Sequence, residues 1–289
     1  MSDIYTLYPR KKIELENFWF DSKLWNHFQY RDNDIIIDTF PKCGTTWMQQ
    51  IVGQLIFNGS ESINVKDVSP WLDFRFNKDK YGSNEKVLEI LEQQTHRRFI
   101  KSHLPFDALL FSSKAKYIFV ARDGRDVACS IYNHRINGTS EGVVKPNSVN
   151  ELFQSNIVAQ SEKSFFTYIK SWWNMRHLPN ILLVHYYQLK KDLPNEIKRI
   201  ATFLNIDIDP LRWNDILEHC SFNYMKTNAD KMVEKEQFLG GAKSFFCQGT
   251  NDRWKGILTD EDSEIYLQRA REELDEEGTQ WILTGELNG

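Results

Sequence analysis

The hydrophobic pattern changes period several times along the chain. Short apolar runs stand at Ile35–Ile37, which opens the segment Ile35–Thr39, at Tyr117–Ala121 and at Ile181–His185. Runs that are short, β-branched and apolar at nearly every position predict strands buried on both faces. Arg98–Lys101 adds a shorter strand end. Between them, longer stretches predict helices at Thr45–Phe57, Asp126–His134, Val158–Met175 and Leu193–Leu204. The last of these places Ile197, Ile200, Ala201 and Leu204 at helical spacing. Asp209–His219 reads as a helix capped by Asp209 with Pro210 at its first position, and Thr259–Glu277 as a charged helix. Alternating strands and helices predict a single α/β domain over residues 1–289, built on a parallel sheet flanked by helices. Ligands of such sheets bind beyond the carboxyl ends of the strands. Gly138–Val149 and Asn228–Gly241 are the most loop-like stretches, read either as plain connections or as substrate lids.

Composition narrows the function classes. The formal net charge of −4 argues against a nucleic-acid binder. No apolar run approaches the roughly 20 residues needed to span a bilayer. Met1–Lys12 is polar and has no apolar core of a secretory signal. Cys43, Cys129, Cys220 and Cys247 are scattered, without metal-ligand spacing, so neither a disulfide framework nor a zinc site is expected. The expected setting is a reducing cytoplasm, with no membrane or nucleic-acid partner.

The richest segment is Thr39–Trp47, TFPKCGTTW. It joins a strand to a helix through a Gly-containing turn, which makes an anion cradle. First-turn N–H groups lack intrahelical partners, and the helix dipole favours negative charge there. Lys42 adds a full charge, and Thr45 and Thr46 add hydroxyls. The segment is not a Walker A loop, because Lys42 precedes Gly44 and no Gly opens the loop. The expectation is a phosphate site without the usual metal–nucleotide apparatus.

Two further segments carry chemistry. Arg122 closes the Tyr117–Ala121 strand, followed by Arg125 and Ser130. An Arg at a strand end can grip a phosphate bidentately; a surface Arg–Asp pairing is the alternative. In Lys101-Ser102-His103-Leu104-Pro105, Pro105 biases the chain to be extended, which places Lys101 and His103 on one side. A nearby cation keeps an imidazole neutral and able to act as a base, although a lone His is more often structural.

Taken together, TFPKCGTTW, KSHLP and ARDGRDVACS resemble, in order and spacing, three segments of the cytosolic sulfotransferase family. The resemblance runs from about residue 19 to residue 270. It implies 3′-phosphoadenosine 5′-phosphosulfate (PAPS) as donor, 3′,5′-adenosine bisphosphate (PAP) as product, and a small-molecule acceptor hydroxyl or amine. It implies His103 as catalytic base and Lys101 as its partner. Lys42 would contact the sulfuryl group and leaving phosphate oxygens. No metal is implied, since lysines take the place that Mg²⁺ holds in kinases.

By the same resemblance, Cys43 stands where Ser is usual and keeps only its backbone N–H. Gly44, Thr45 and Thr46 match 5′-phosphate contacts, and Trp47 matches the ring that stacks on adenine, a buried core Trp being the alternative. Arg122 and Ser130 match 3′-phosphate ligands. Tyr186, Cys220 and Phe222 match contacts to the adenosine. One segment departs: the family's Arg-Lys-Gly is replaced by Phe246, Cys247, Gln248 and Gly249 around the expected position, and both charges are gone. Losing one charge-assisted hydrogen bond of roughly 1.5–3 kcal/mol weakens binding about ten- to a hundredfold unless Arg253, Lys243 or Arg125 compensates.

Trp19, Phe20, Trp71, Phe74 and Phe245, together with His103, are the expected acceptor-pocket walls, with Asp73 as a polar contact. Ordinary core aromatics are the alternative for each. Lys255, Thr259 and Glu264 follow the family's dimerisation spacing, but Asp260 replaces its central Val, so the expected state is a monomer or a weak homodimer. Two other functions stay open: a P-loop kinase of small molecules, and a catalytically weak nucleotide-binding protein.

Overall fold

The computed structural model describes residues 9–140, 142–161 and 163–287. Four strands form a parallel sheet in the order β2-β1-β3-β4: β1 Ile35–Thr39, β2 Phe99–Ser102, β3 Lys116–Ala121 and β4 Ile181–His185. The order places β1 between β2 and β3, with Ile36 opposite Ile100 and Tyr117.

Period-2 alternation explains how one sheet builds two cores. Ile35, Ile37, Ile118, Val120 and Val184 face one side, against Met48, Ile51, Val52, Ile197, Ile200 and Leu204. Those partners lie on α1, Thr45–Ile56, and on the helix Leu193–Leu204. Ile36, Tyr117, Phe119 and Ala121 face the other side, against Val127, Phe165, Trp172, Tyr266 and Trp281. Both faces are covered, so the strands are apolar along most of their length, with polar residues such as Asp38, Thr39, Lys101, Ser102 and His185 gathered at their carboxyl ends. A third, smaller cluster around Met225, Met232, Ala242 and Phe246 packs beside Trp47, Phe222 and Phe245.

Three helix expectations need correction at their ends. Val158–Met175 is not helical throughout: the α-helix spans only Phe165–Trp173, and the π-helical turn Phe153–Ile157 ends before the expected start. The Ser164 side chain accepts from the Thr167 N–H and so starts the helix late. Thr259–Glu277 is two helices, Asp260–Glu273 and Glu276–Thr284. Thr259 and Asp262 form a capping box at the first, and Asp275 caps the second through the Gly278 N–H. In Asp209–His219 the first turn, Pro210–Arg212, is 3₁₀ and the α-helix begins at Trp213.

Candidate active site

The carboxyl ends of all four strands open onto one cavity of about 710 Å³, a size usual for small-molecule sites. The loop after β1 brings Lys42, Gly44, Thr45, Thr46 and Trp47 to its wall. Lys42 and Gly44 both take positive φ, 74° and 113°. Gly44 is the N-cap of α1 in left-handed conformation, and no side chain among the described residues caps that end. The first-turn amides therefore face an anion cradle. A Cβ on Gly44 would stand 2.9 Å from the Tyr186 ring, so the loop and the residue after β4 are closely fitted.

The strand end of β2 supplies Lys101 and His103. His103 is buried, its ring edge-on to Trp71 with centroids 4.8 Å apart. Nδ1 lies 2.7 Å from the Thr39 carbonyl, which can only accept, so the imidazole carries its proton there. Nε2 is then the lone pair on the ring that lines the cavity. The Thr39 hydroxyl lies 3.2 Å from the same Nδ1 and 2.7 Å from the Thr45 hydroxyl. Burial, then the Lys101 charge, holds His103 well below the usual imidazole range, with Lys42 adding to the effect. The imidazole is thus neutral near pH 7.

The two lysines are cations in an apolar setting. Lys101 Nζ stands 4.2 Å over the Trp71 ring, and burial pulls it down to about 8. Lys42 Nζ stands 4.1 Å over Phe245. Burial, then Lys101 and Arg122, pulls it down to about 7.

After β3, Arg122 lies with its guanidinium 4.2 Å over the Tyr186 ring and 3.6 Å from Asp126. One Nη donates to the Thr250 carbonyl at 2.7 Å, while its Nε is buried without a partner among the described residues. Ser130 follows on the helix Gly124–Asn137 and also reaches the cavity. Tyr186, Phe222, Phe246, Cys247, Gln248 and Gly249 complete this side. Trp47 meets Tyr186 edge-on at 5.3 Å and donates its indole N–H to the Cys220 carbonyl at 2.8 Å.

Some expected residues stand elsewhere. Cys43 does not reach the cavity wall: its thiol is fully buried in the core and its N–H closes a turn on the Phe40 carbonyl. Cys220 likewise turns its thiol inward, leaving its carbonyl to hold Trp47. Asp73 is not available to an acceptor. It is buried, and it accepts from the Trp25 and Trp71 indoles and from the His103 N–H. Arg125 pairs with Asp123 and stacks 3.8 Å from Trp254, and Lys243 is exposed away from the cavity. Arg253 does line the cavity, 3.7 Å from the Cys247 sulfur, with its N–H held by Asp126.

The proposed walls Trp19, Phe20, Trp71, Phe74 and Phe245 all border the same space, Trp71 and Phe74 stacked at 4.5 Å. Sequence reasoning missed His134, whose Nδ1 lies 3.2 Å from Lys42 Nζ. The only available signal was its place one turn beyond Ser130. It also missed Glu234, which joins Lys66 and Lys80 at the rim at 2.8 and 2.9 Å.

Of the dimerisation spacing, Lys255 pairs with Asp252 in the same chain, Thr259 caps its own helix, and Glu264 is exposed. Among the described residues no helix is long and apolar enough to cross a membrane, and no cluster of metal-ligating side chains occurs.

This arrangement has counterparts. The sulfotransferase domain family matches residues 32–278. Sulfotransferase 2A6 of Rattus norvegicus is 34% identical over 254 residues, covering 83% of this chain and 84% of that protein. Sulfotransferase 2A2 of the same species is 33% identical and covers 92% and 93%. A glycolipid sulfotransferase of Mycobacterium bovis is 28% identical, covering 87% and 88%. In fold, the chain resembles a mouse sulfotransferase crystallised with PAP, with a TM-score of 0.72 at 20% identity over 90% of this chain and 91% of that one. The chain belongs to the sulfotransferase domain family, and is an enzyme of that cytosolic type.

Proposed function

We propose that the enzyme moves the sulfuryl group of PAPS to a hydroxyl or amine of a small, partly aromatic acceptor, with His103 as general base. The main support is the meeting of a neutral imidazole, two lysines and an open helix N-terminus at one cavity. The donor's two phosphates have fitting partners. The uncapped α1 terminus suits the 5′-phosphosulfate, and the orphaned Arg122 Nε with Ser130 suits the 3′-phosphate. The aromatic rings of Trp47, Phe222 and Phe246 suit a flat base.

His103 Nε2 takes the proton of the acceptor as a new bond to sulfur forms. Lys42 and Lys101 would meet the negative charge that grows on the leaving phosphate oxygen as the old sulfur–oxygen bond breaks. Arg253 supplies the charge that the Cys247-Gln248 substitution removes. It shares Asp126 with Arg122, which ties both ends of the 3′-phosphate side together.

Calorimetry with PAP tests the reading. Tight binding that does not depend on magnesium is expected, and binding of ATP alone would overturn it in favour of a kinase. In the same assay Arg253→Ala is expected to weaken PAP about ten- to a hundredfold, one lost charge-assisted hydrogen bond. An unchanged affinity removes Arg253 from the site.

Gly249 offers a sharper geometric test. It has a φ of 64°, and a Cβ there would stand 2.4 Å from the Phe222 ring. Left-handed backbone costs an L side chain about 1–2 kcal/mol, and the ring must also move. Gly249→Ala is expected to lower PAP affinity about tenfold or more, and the same strain in the folded state lowers the melting temperature by a few degrees. Equal affinity would show that this turn does not shape the nucleotide side.

Aromatic walls suit an acceptor with a ring or a compact apolar body. The buried Cys43, Cys129 and Cys220, unpaired like the exposed Cys247, suit a reducing cytoplasm.

A further inference from the structure

The cavity contains a second imidazole that the reaction outlined above does not use. His134 lies on the helix Gly124–Asn137, one turn beyond Ser130 and on the same face. Its ring is packed edge-on against Phe238 at 5.2 Å and Phe245 at 6.1 Å. Phe245 is also the ring beneath the Lys42 ammonium. Lys42 therefore lies between an aromatic face and an imidazole nitrogen, with Nζ 3.2 Å from His134 Nδ1.

We propose that His134 is a positioning residue for Lys42, its Nδ1 accepting the ammonium and holding it in the cavity ready for the donor. This rests on the assignment of Lys42 to the donor's leaving oxygen. The chemistry of the contact follows from what each partner can do. A lysine ammonium only donates, so Nδ1 must offer its lone pair and the His134 proton must sit on Nε2. Burial, then Lys42 and Lys101, keeps His134 well below the usual imidazole range, with Arg135 and His103 adding to this. The lone pair is thus on offer across the neutral range.

Lys42 needs such a partner. Lys101 approaches from the end of β2 and Arg122 from the end of β3, and both repel its charge. His103, neutral, is the other titratable group that feels it. A neutral acceptor at 3.2 Å favours the ammonium over the free amine. Without it, burial and the two cations would deprotonate Lys42 at lower pH. When the donor binds, its own negative charge takes over that role, so His134 matters most for the free enzyme.

The test is the pH profile of kcat/KM for PAPS at saturating acceptor, in the wild type, His134→Phe and His134→Gln. In His134→Phe the alkaline limb is expected to move about one unit lower, with kcat/KM near pH 8 falling about tenfold. His134→Gln keeps an acceptor and returns the limb toward the wild type. PAP affinity near pH 5, about a unit below even the lowered value and so with Lys42 mostly charged in either case, stays unchanged in His134→Phe. An unmoved limb, no recovery with Gln, or lost affinity at pH 5 each overturns the proposal. Lys42→Ala separates the two levels. If it keeps kcat/KM, the donor assignment of Lys42 fails. If it loses kcat/KM while His134→Phe matches the wild type, only the His134 inference fails.

Discussion

His103→Gln is expected to lower kcat by about 10²–10⁴, the usual contribution of a general base, while PAP binds as it does to the wild type. The separation follows from where the residue stands. His103 extends from the end of β2, beside Trp71, whereas the phosphate-facing groups lie on α1 and after β3. Gln at this position can still donate its amide to the Thr39 carbonyl in place of Nδ1, so the local fold is kept. It offers no nitrogen lone pair to the cavity. The pH dependence has a definite sign. Burial and the neighbouring lysines depress the His103 pKa, so its base form is present at neutral and mildly acidic pH. The wild-type rate is lost as pH falls through that low value, and His103→Gln lacks this acid limb. Steady-state kinetics with calorimetry on the same variant checks both parts. Undiminished kcat removes His103 from the base role.

Lys42→Ala is expected to lower kcat by about 10²–10³, comparable to removing one preorganised donor from a site of growing negative charge. PAP affinity should also fall, because the ammonium faces the same cradle. Lys42 is placed by backbone that tolerates few alternatives: it has a φ of 74° and is followed by Cys43, anchored in the core, and left-handed Gly44. An Arg at 42 does not replace it, since a planar fork does not fit a point contact between Phe245 and His134. With its pKa drawn down to about 7, Lys42 carries its charge below that value and loses it above. kcat/KM for the donor therefore declines above about 7 in the wild type, and this limb disappears in Lys42→Ala. The remaining alkaline change then belongs to Lys101, near 8. A variant that keeps both rate and limb would place the leaving-group charge elsewhere.

Much of the architecture could be read locally. The apolar runs that became β1, β3 and β4 are buried on both faces, and that condition leaves a continuous apolar signature. The phosphate loop was legible for a related reason. An anion cradle needs a strand, a turn of permissive backbone and a helix start in immediate succession, so its parts are neighbours in the chain. Helix ends were less legible. Ser164 and Asp275 start helices by side-chain bonds to amides three residues on, and these broke segments that looked continuous in hydrophobic pattern.

The parts of the site that escaped sequence reasoning share one property: they depend on which way a side chain turns after distant segments have packed. His134 and Lys42 are 92 residues apart and meet only because the loop after β1 and the helix after β3 converge at the carboxyl end of the sheet, where β1 and β3 are neighbours. Asp73 looked like an acceptor contact; its meeting with two indoles and the His103 amide makes it a buried brace instead. Cys43 and Cys220 sit in motif positions yet point into the core, where thiols are at home. Among three candidate cations, Arg253 alone reaches the cavity, because Asp123 and Trp254 hold Arg125 and Lys243 stays in solvent. Strand identity, the anion loop and the sulfotransferase motifs are short-range properties, written in residue type and spacing. The tautomer of His103, the partner of Lys42 and the choice of Arg253 are long-range ones, because each is set by contacts that exist only after the sheet has closed under its helices.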